Sequence, residues 1–93
     1  LEELYLYVLS LDGGGYYLDQ TDNLHKKIED HYFGKIDITS GKHPQLIWSE
    51  KLTCSRSDME KHLENLRILF RKTPDAMLYR LQARLPNGGI RWG

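Results

Sequence analysis

Residues 5–31 concentrate the side chains of this chain that could do chemistry. Tyr5, Tyr7 and Tyr17 supply phenol hydroxyls, Lys27 supplies an ammonium group and His31 supplies an imidazole. Phenols and imidazoles can exchange protons, and an ammonium group can bind an anion. Any chemistry of the chain is therefore expected in this run, where a tyrosine-bearing hairpin precedes an amphipathic helix.

A β-hairpin must position the tyrosines. Two runs rich in aromatic and aliphatic residues, 4–11 and 16–20, flank a glycine turn at 12–15. A three- or five-residue loop would place Tyr7 and Tyr17 on the same face of the sheet, whereas a two- or four-residue loop would separate them. The surplus of glycines favours a three-residue loop with a bulge.

A helix must position the lysine and the histidine. Thr21 or Asp22 is predicted to cap a helix that extends to about position 32. At ~100° per residue, Lys27 falls on the edge of the apolar stripe, next to His31. Lys26 lies on the opposite side, so only Lys27 can lean over the hairpin.

The rest of the chain predicts a third strand and two further helices. Residues 35–43 form a polar loop, and residues 44–52 form a strand entered after a proline. Ser57 and Glu60 predict a capping box at the start of the second helix, and Pro74 begins the third. The inward-facing stripe of the second helix is Met59, Leu63, Leu66 and Phe70.

The third helix continues this pattern through Leu81 and Leu85 and is closed by residues 86–89, while residues 90–93 are unassigned. The order strand, strand, helix, strand, helix, helix predicts an α+β domain. Its centre is a small three-stranded antiparallel sheet flanked by helices.

Length and charge limit what the chain can be. Its 93 residues predict one small domain, over 1–93, with one modest core. Thirteen basic and thirteen acidic residues give zero net charge, so no long-range positive field attracts nucleic acid and any phosphate contact must be local. The first residue is Leu1 rather than methionine, which predicts a domain excised from a longer chain.

Cysteine usage and hydropathy point to the cell interior. The single cysteine, Cys54, excludes an internal disulfide and a multi-cysteine metal site. No apolar run approaches the roughly 20 residues that span a bilayer. A soluble, intracellular protein without a membrane partner, cytoplasmic or in the nucleus or nucleoid, is expected.

These residues resemble the signature of the GIY-YIG nuclease domain, over nearly the whole chain to about Phe70. Tyr5-Leu6-Tyr7 stands in the place of the first triplet of the signature, and Tyr17-Leu18-Asp19 in the place of the second. Further matches at the family's intervals are Thr21, Asn23, Leu24, His31, Gly34, Thr39 and Pro44.

The resemblance implies a nuclease with one divalent metal ion, Mg²⁺ or Mn²⁺. In such an enzyme a tyrosine assists proton removal from water, an arginine holds the phosphate and a glutamate binds the metal. Position by position, Tyr7 and Tyr17 match the tyrosines, Lys27 stands where the arginine should be and Glu64 falls at the metal position. His31 matches a nearby site that is frequently polar.

Two departures from the signature argue against cleavage. Lys27 keeps the positive charge but loses the planar fork with which arginine binds a phosphate in bidentate fashion. Asp19 replaces the glycine of the second triplet, and so adds a side chain and a negative charge where a phosphate should come. That charge is unfavourable unless Asp19 itself binds the metal.

The same residues also have structural interpretations. Tyr5, Tyr7 and Tyr17 could be aromatic residues that pack in a sheet. Glu64 and Arg67 stand at helical spacing and are typical of a solvated salt-bridge stripe.

Lysines near the helix form a candidate nucleic-acid rim, although acidic residues interleave with them. The lysines of this rim are Lys26, Lys27, Lys35 and Lys42, and Arg56 extends it. The four histidines predict no metal cluster.

The sequence thus favours a degenerate GIY-YIG-like module that recognises nucleic acid or protein within a larger polypeptide and has little or no cleavage activity. DNA is the expected partner, with an adjacent domain or a protein as a further one. One alternative is an active metal-dependent DNA endonuclease that uses Tyr7, Tyr17, Lys27 and Glu64. A second is a protein-interaction domain without a nucleic-acid role.

Overall fold

Three strands and three helices build the protein, as described for residues 1–83 by a computed structural model. The elements are β1 (Glu2–Ser10), β2 (Tyr16–Thr21), α1 (Leu24–Tyr32), β3 (Gln45–Cys54), α2 (Arg56–Lys72) and α3 (Pro74–Ala83). The strands form one antiparallel sheet in the order β2-β1-β3. The predicted α+β class and order of elements are confirmed.

The hairpin brings the two tyrosines to one face of the sheet. Tyr7 lies opposite Asp19, and Leu9 lies opposite Tyr17. Five residues separate the strands, and a hydrogen bond from the Leu11 amide to the Gly15 carbonyl (2.9 Å) leaves three residues in the turn itself. An odd number of loop residues was the predicted condition for placing Tyr7 and Tyr17 on one face, and the loop meets this condition.

Buried side chains on the opposite face form the main core. Leu4, Leu6 and Val8 of β1 share a face because strand side chains alternate. They pack with Leu18, Trp48, Met59, Leu63, Phe70, Met77 and Leu81. The helices α2 and α3 therefore cover one face of the sheet, and Tyr7 and Leu9 are buried on the other.

Both predicted helix caps were wrong by one or two residues. The α1 N-cap is Asn23, whose side chain accepts a hydrogen bond from the Lys26 amide (3.2 Å). Thr21 instead ends β2, and its hydroxyl accepts a hydrogen bond from the Asn23 amide (3.1 Å). Asp22 lies between them. Since β2 extends to Thr21, the helix can begin only after Asn23.

The α2 cap is corrected in the same way. Ser55 is the N-cap, and its Oγ accepts a hydrogen bond from the Asp58 amide (3.1 Å). Ser57 lies inside the first turn, so the capping box predicted for Ser57 and Glu60 does not form. The reason is that β3 runs to Cys54, two residues beyond its predicted end, and the chain turns into the helix at once.

The predicted apolar faces of α2 and α3 are confirmed within the described residues. Met59, Leu63 and Phe70 are buried, and Leu66 is half-buried against them. Leu85 and the predicted helix stop at 86–89 lie outside the described residues. Between Leu1 and Ala83, no helix has the length and apolar character required to cross a membrane.

Candidate functional site

A buried chain of hydrogen bonds joins β1, α1 and the loop that follows α1. The Tyr7 hydroxyl lies 2.9 Å from His31 Nε2, and His31 Nδ1 lies 2.7 Å from Thr39 Oγ1. The Thr39 hydroxyl donates to the Ile36 carbonyl oxygen at 3.4 Å. Each of Tyr7, His31 and Thr39 is at most 1% exposed, so water does not compete for these bonds.

The residues of this hydrogen-bond chain determine which atom donates and which accepts in each bond. Burial, together with the nearby Lys27 charge, lowers the pKa of His31, so the imidazole is neutral and carries one N–H. Since the Thr39 hydroxyl donates to Ile36, Thr39 must accept from Nδ1–H. Nε2 is then an acceptor for the Tyr7 hydroxyl, and every proton in the chain has a partner.

Neither tyrosine is poised to lose its proton. Burial raises the pKa of Tyr7 well above its ordinary value, and the Asp19 charge adds to this rise. Burial also raises the pKa of Tyr17, and its hydroxyl donates to Asp19 Oδ2 at 2.7 Å. A phenol that remains protonated cannot take a proton from water, so both hydroxyls act as hydrogen-bond donors.

The rings of Tyr7, Tyr17 and His31 form one aromatic cluster. The His31 ring lies edge-on to both tyrosines, with centroids 5.6 Å from Tyr7 and 5.2 Å from Tyr17, and the two tyrosine centroids are 6.4 Å apart. These separations are typical of stabilising aromatic pairs. Three predicted site residues are therefore brought together. Their packing also agrees with the alternative in which the tyrosines are aromatic residues that pack in a sheet.

Arg67 of α2 reaches around the outer edge of β2 and meets the residues of the second triplet. Its Nε and Nη2 groups donate to the Leu18 carbonyl oxygen at 3.2 and 3.1 Å. Nη2 lies 3.6 Å from Asp19 Oδ1, and Nη1 lies 3.7 Å from Glu64 Oε2. The Asp19 carboxylate, which also accepts from Tyr17, is thus neutralised within the site.

Glu64, at the predicted metal position, faces Arg67 and is exposed. Nothing in residues 1–83 brings three histidine, cysteine, aspartate or glutamate side chains close enough to hold a metal ion. The oxygens of Asp19, Glu64 and Leu18 surround a guanidinium, whose positive charge would repel Mg²⁺ or Mn²⁺ at the same point. The residues as arranged do not fit a divalent metal ion.

The candidate nucleic-acid lysines differ in their surroundings. Lys27 is half-buried beside His31, and its ammonium makes no ion pair with any residue from 1 to 83. Lys26 is exposed and pairs with Asp30 at 2.8 Å. Lys35 and Lys42 are exposed in the loop after α1. Of the four lysines, Lys27 is therefore the one beside His31, as the helical phase predicted.

A cleft of about 630 Å³ adjoins this site at the edge of β2. Its lining comes from the hairpin, the loop after α1, and the helices α2 and α3. Apolar and aromatic residues line most of the cleft, together with two arginines: Tyr16, Tyr17, Leu18, Ile38, Phe70 and Pro74, with Arg67 and Arg71. Tyr17 and Arg67 thus belong both to the candidate site and to the cleft.

Thr39 and Arg67 were not predicted as site residues. Arg67 was recognised only as a helical neighbour of Glu64, and its bond to Leu18 spans 49 positions of sequence. Thr39 was matched by interval alone. No local pattern indicates that its hydroxyl completes a buried chain with His31.

The chain was compared with models of protein families, with curated proteins and with solved structures, and none of them matches it.

Proposed function

We propose that this domain is a GIY-YIG-like module that recognises nucleic acid and does not cleave it. The observation that carries the proposal is the position of the Tyr7 hydroxyl, which is fully buried and lies 2.9 Å from His31 Nε2. A tyrosine that activates water must reach solvent and release its proton readily. Tyr7 meets neither condition.

The surroundings of Arg67 support the same conclusion. A phosphodiesterase of this kind needs an electropositive place for the phosphate and a metal ion bound by carboxylates. Here the guanidinium already lies against Asp19 and Glu64, and it also donates twice to Leu18. These contacts stabilise the folded domain and place a guanidinium between the oxygens that a metal ion would have to bind.

Local cations support nucleic acid as the partner. Lys27 makes no ion pair within residues 1–83 and lies next to the aromatic cluster, and Lys35 and Lys42 are exposed along the neighbouring loop. Because the net charge is zero, affinity must come from a few phosphate contacts and must fall as salt rises. An intracellular location, where nucleic acid is accessible, belongs to this proposal.

Plasmid nicking and oligonucleotide binding, measured on the same preparation, test the proposal. With Mg²⁺ or Mn²⁺, a supercoiled plasmid is expected to stay intact while labelled DNA binds in a salt-dependent manner. Nicking that Glu64→Ala abolishes would contradict the proposal and establish the active endonuclease. If neither DNA nor RNA binds, the protein-interaction alternative replaces it.

A double variant tests how the activity was lost. Asp19→Gly with Lys27→Arg restores the two signature residues of the nuclease family. We expect this variant still not to cleave, because Tyr7 stays buried and Arg67 keeps its contact with Leu18. Cleavage by the double variant would mean that these two substitutions alone account for the loss.

A further inference from the structure

The cleft beside β2 combines an apolar floor with two guanidinium groups. Tyr16 and Phe70 pack with ring centroids 5.6 Å apart, and Leu18 and Pro74 complete the apolar part. Ile38, which is 59% exposed, lines the cleft from the loop after α1. Such a lining suits a flat, largely apolar group, and about 630 Å³ lies within the range of small-ligand sites, roughly 300–1,000 Å³.

The cationic part of the cleft has an uncompensated charge. Arg67 and Arg71 are four residues apart on α2 and therefore lie on the same face of the helix. The charge of Arg67 is balanced by Asp19 and Glu64. The Arg71 guanidinium is exposed and makes no ion pair within the part of the chain that the structure describes. The cleft is thus complementary to an anion next to its apolar floor.

The edge of β2 is blocked for one common class of partner. An extended peptide that joins a sheet needs free backbone groups along the edge strand. β2 is an edge strand, but the Leu18 carbonyl oxygen already accepts two bonds from Arg67. The recognition in this cleft must therefore use the side chains of a partner rather than an added strand.

We propose that the cleft binds one unpaired nucleotide of a single-stranded nucleic acid, with the base on the partly exposed Tyr16 ring, which buried Phe70 supports, and the adjoining phosphate on Arg71. The inference rests on the proposed function and names its substrate class. Bases stack on aromatic side chains whatever their sequence, and arginine binds phosphate. A base in an intact duplex keeps its faces covered by its neighbours, so it cannot enter the cleft without leaving the stack.

The phosphate contact is tested with a matched pair of charge variants. Arg71→Met removes the guanidinium in the cleft, whereas Lys72→Met removes a neighbouring charge that lies, like Arg71, in the last turn of α2 but does not line the cleft. Binding of a fluorescent eight-nucleotide oligothymidylate is measured against salt. Arg71→Met should weaken binding about tenfold and reduce the salt slope by about 0.7, and Lys72→Met should change both much less.

The base contact is tested with 2-aminopurine placed in the middle of the same oligonucleotide. Stacking on the cleft floor should quench its fluorescence when protein is added. Ile38→Glu introduces a negative charge in the lining and should abolish the quenching. Tyr79→Glu makes the same charge change at a position that is 75% exposed on α3 and does not line the cleft, and it should leave the quenching intact.

The outcomes separate this inference from the proposed function. Equal binding of single-stranded and duplex oligonucleotides, or equal effects of Arg71→Met and Lys72→Met, would overturn the cleft assignment and leave nucleic-acid recognition standing. Failure of every oligonucleotide to bind would overturn both. Loss of polyglutamate binding in Arg71→Met, without any oligonucleotide binding, would replace the nucleotide by an acidic peptide. Binding of oligothymidylate and of oligouridylate is measured in parallel to distinguish DNA from RNA, because both present the base and the phosphate that the cleft would bind.

Discussion

Removal of the Tyr7 hydroxyl should destabilise the domain far more than its single oxygen atom suggests. In Tyr7→Phe, the ring packing against Tyr17 and His31 remains, but His31 Nε2 loses its donor. His31 is 1% exposed and its Nδ1 is committed to Thr39. Either tautomer of the imidazole then leaves one buried nitrogen without a partner.

The magnitude follows from the cost of an unsatisfied buried polar group. That cost is about 1–3 kcal/mol in the free energy of unfolding. For a domain of 93 residues, each 1 kcal/mol lowers Tm by roughly 4–8 °C. Urea unfolding at pH 8, where His31 is neutral in both the folded and the unfolded state, measures the loss without a contribution from histidine protonation.

Tyr5→Phe supplies the control, because Tyr5 lies on the same strand, is only half-buried and makes no side-chain hydrogen bond within residues 1–83. It should change the free energy of unfolding by no more than about 0.5 kcal/mol. Equal small effects of Tyr7→Phe and Tyr5→Phe would refute the buried hydrogen-bond chain, and with it the main support for the proposal that the domain does not cleave.

Three further comparisons test other parts of the structure by the free energy of unfolding. Because burial and then the Lys27 charge lower the pKa of His31, the unfolded chain binds more protons than the folded one below about pH 6.5. The free energy of unfolding should therefore be at its full value above about pH 6.5 and fall by up to about 1.4 kcal/mol per pH unit below it. His31→Gln should remove this part of the pH dependence, and an unchanged slope would contradict the lowered pKa. Arg67→Met should cost about 1–3 kcal/mol because the Leu18 carbonyl loses the guanidinium donors and Asp19 loses its ion pair, whereas Arg71→Met should cost at most about 0.5 kcal/mol; equal costs would refute the edge contact. Gly13→Ala should cost about 1–2 kcal/mol because the φ angle of Gly13 is +90°. Gly15→Ala should be nearly neutral, because Gly15 has open space around it and no positive φ. A larger loss of stability for Gly15→Ala than for Gly13→Ala would contradict the turn geometry.

The elements of the fold could be predicted from local patterns. Alternating strand residues, the glycine turn and the apolar stripe of α2 predicted a three-stranded sheet with three helices, and the loop parity that aligns Tyr7 with Tyr17 was among the alternatives. The caps were missed because Asp22 and Ser57 are as suitable for an N-cap as Asn23 and Ser55 are. The choice between them depends on where the preceding strand ends, and sheet pairing decides that.

The site was predictable only in part. Helical phase placed Lys27 beside His31, whereas strand alternation placed Tyr7 and Tyr17 on one face only if the loop between the strands has an odd length. The position of Arg67 was not predictable, because a long side chain on α2 crosses the sheet edge to a carbonyl 49 residues away. Arg67 also changes the predicted role of Asp19. The sequence indicates an unpaired charge that would repel a phosphate, whereas in the structure this charge is paired with Arg67.

The proton of the Tyr7–His31 pair decides most directly whether Tyr7 is a hydrogen-bond donor, as the proposed lack of cleavage requires. The ¹⁵N chemical shifts of the His31 ring at neutral pH report this position. We predict a neutral imidazole with the proton on Nδ1 and an unprotonated Nε2 that accepts from Tyr7. A protonated Nε2, whether in the other tautomer or in an imidazolium, would make the Tyr7 oxygen an acceptor and would contradict the claim that its proton is held by His31.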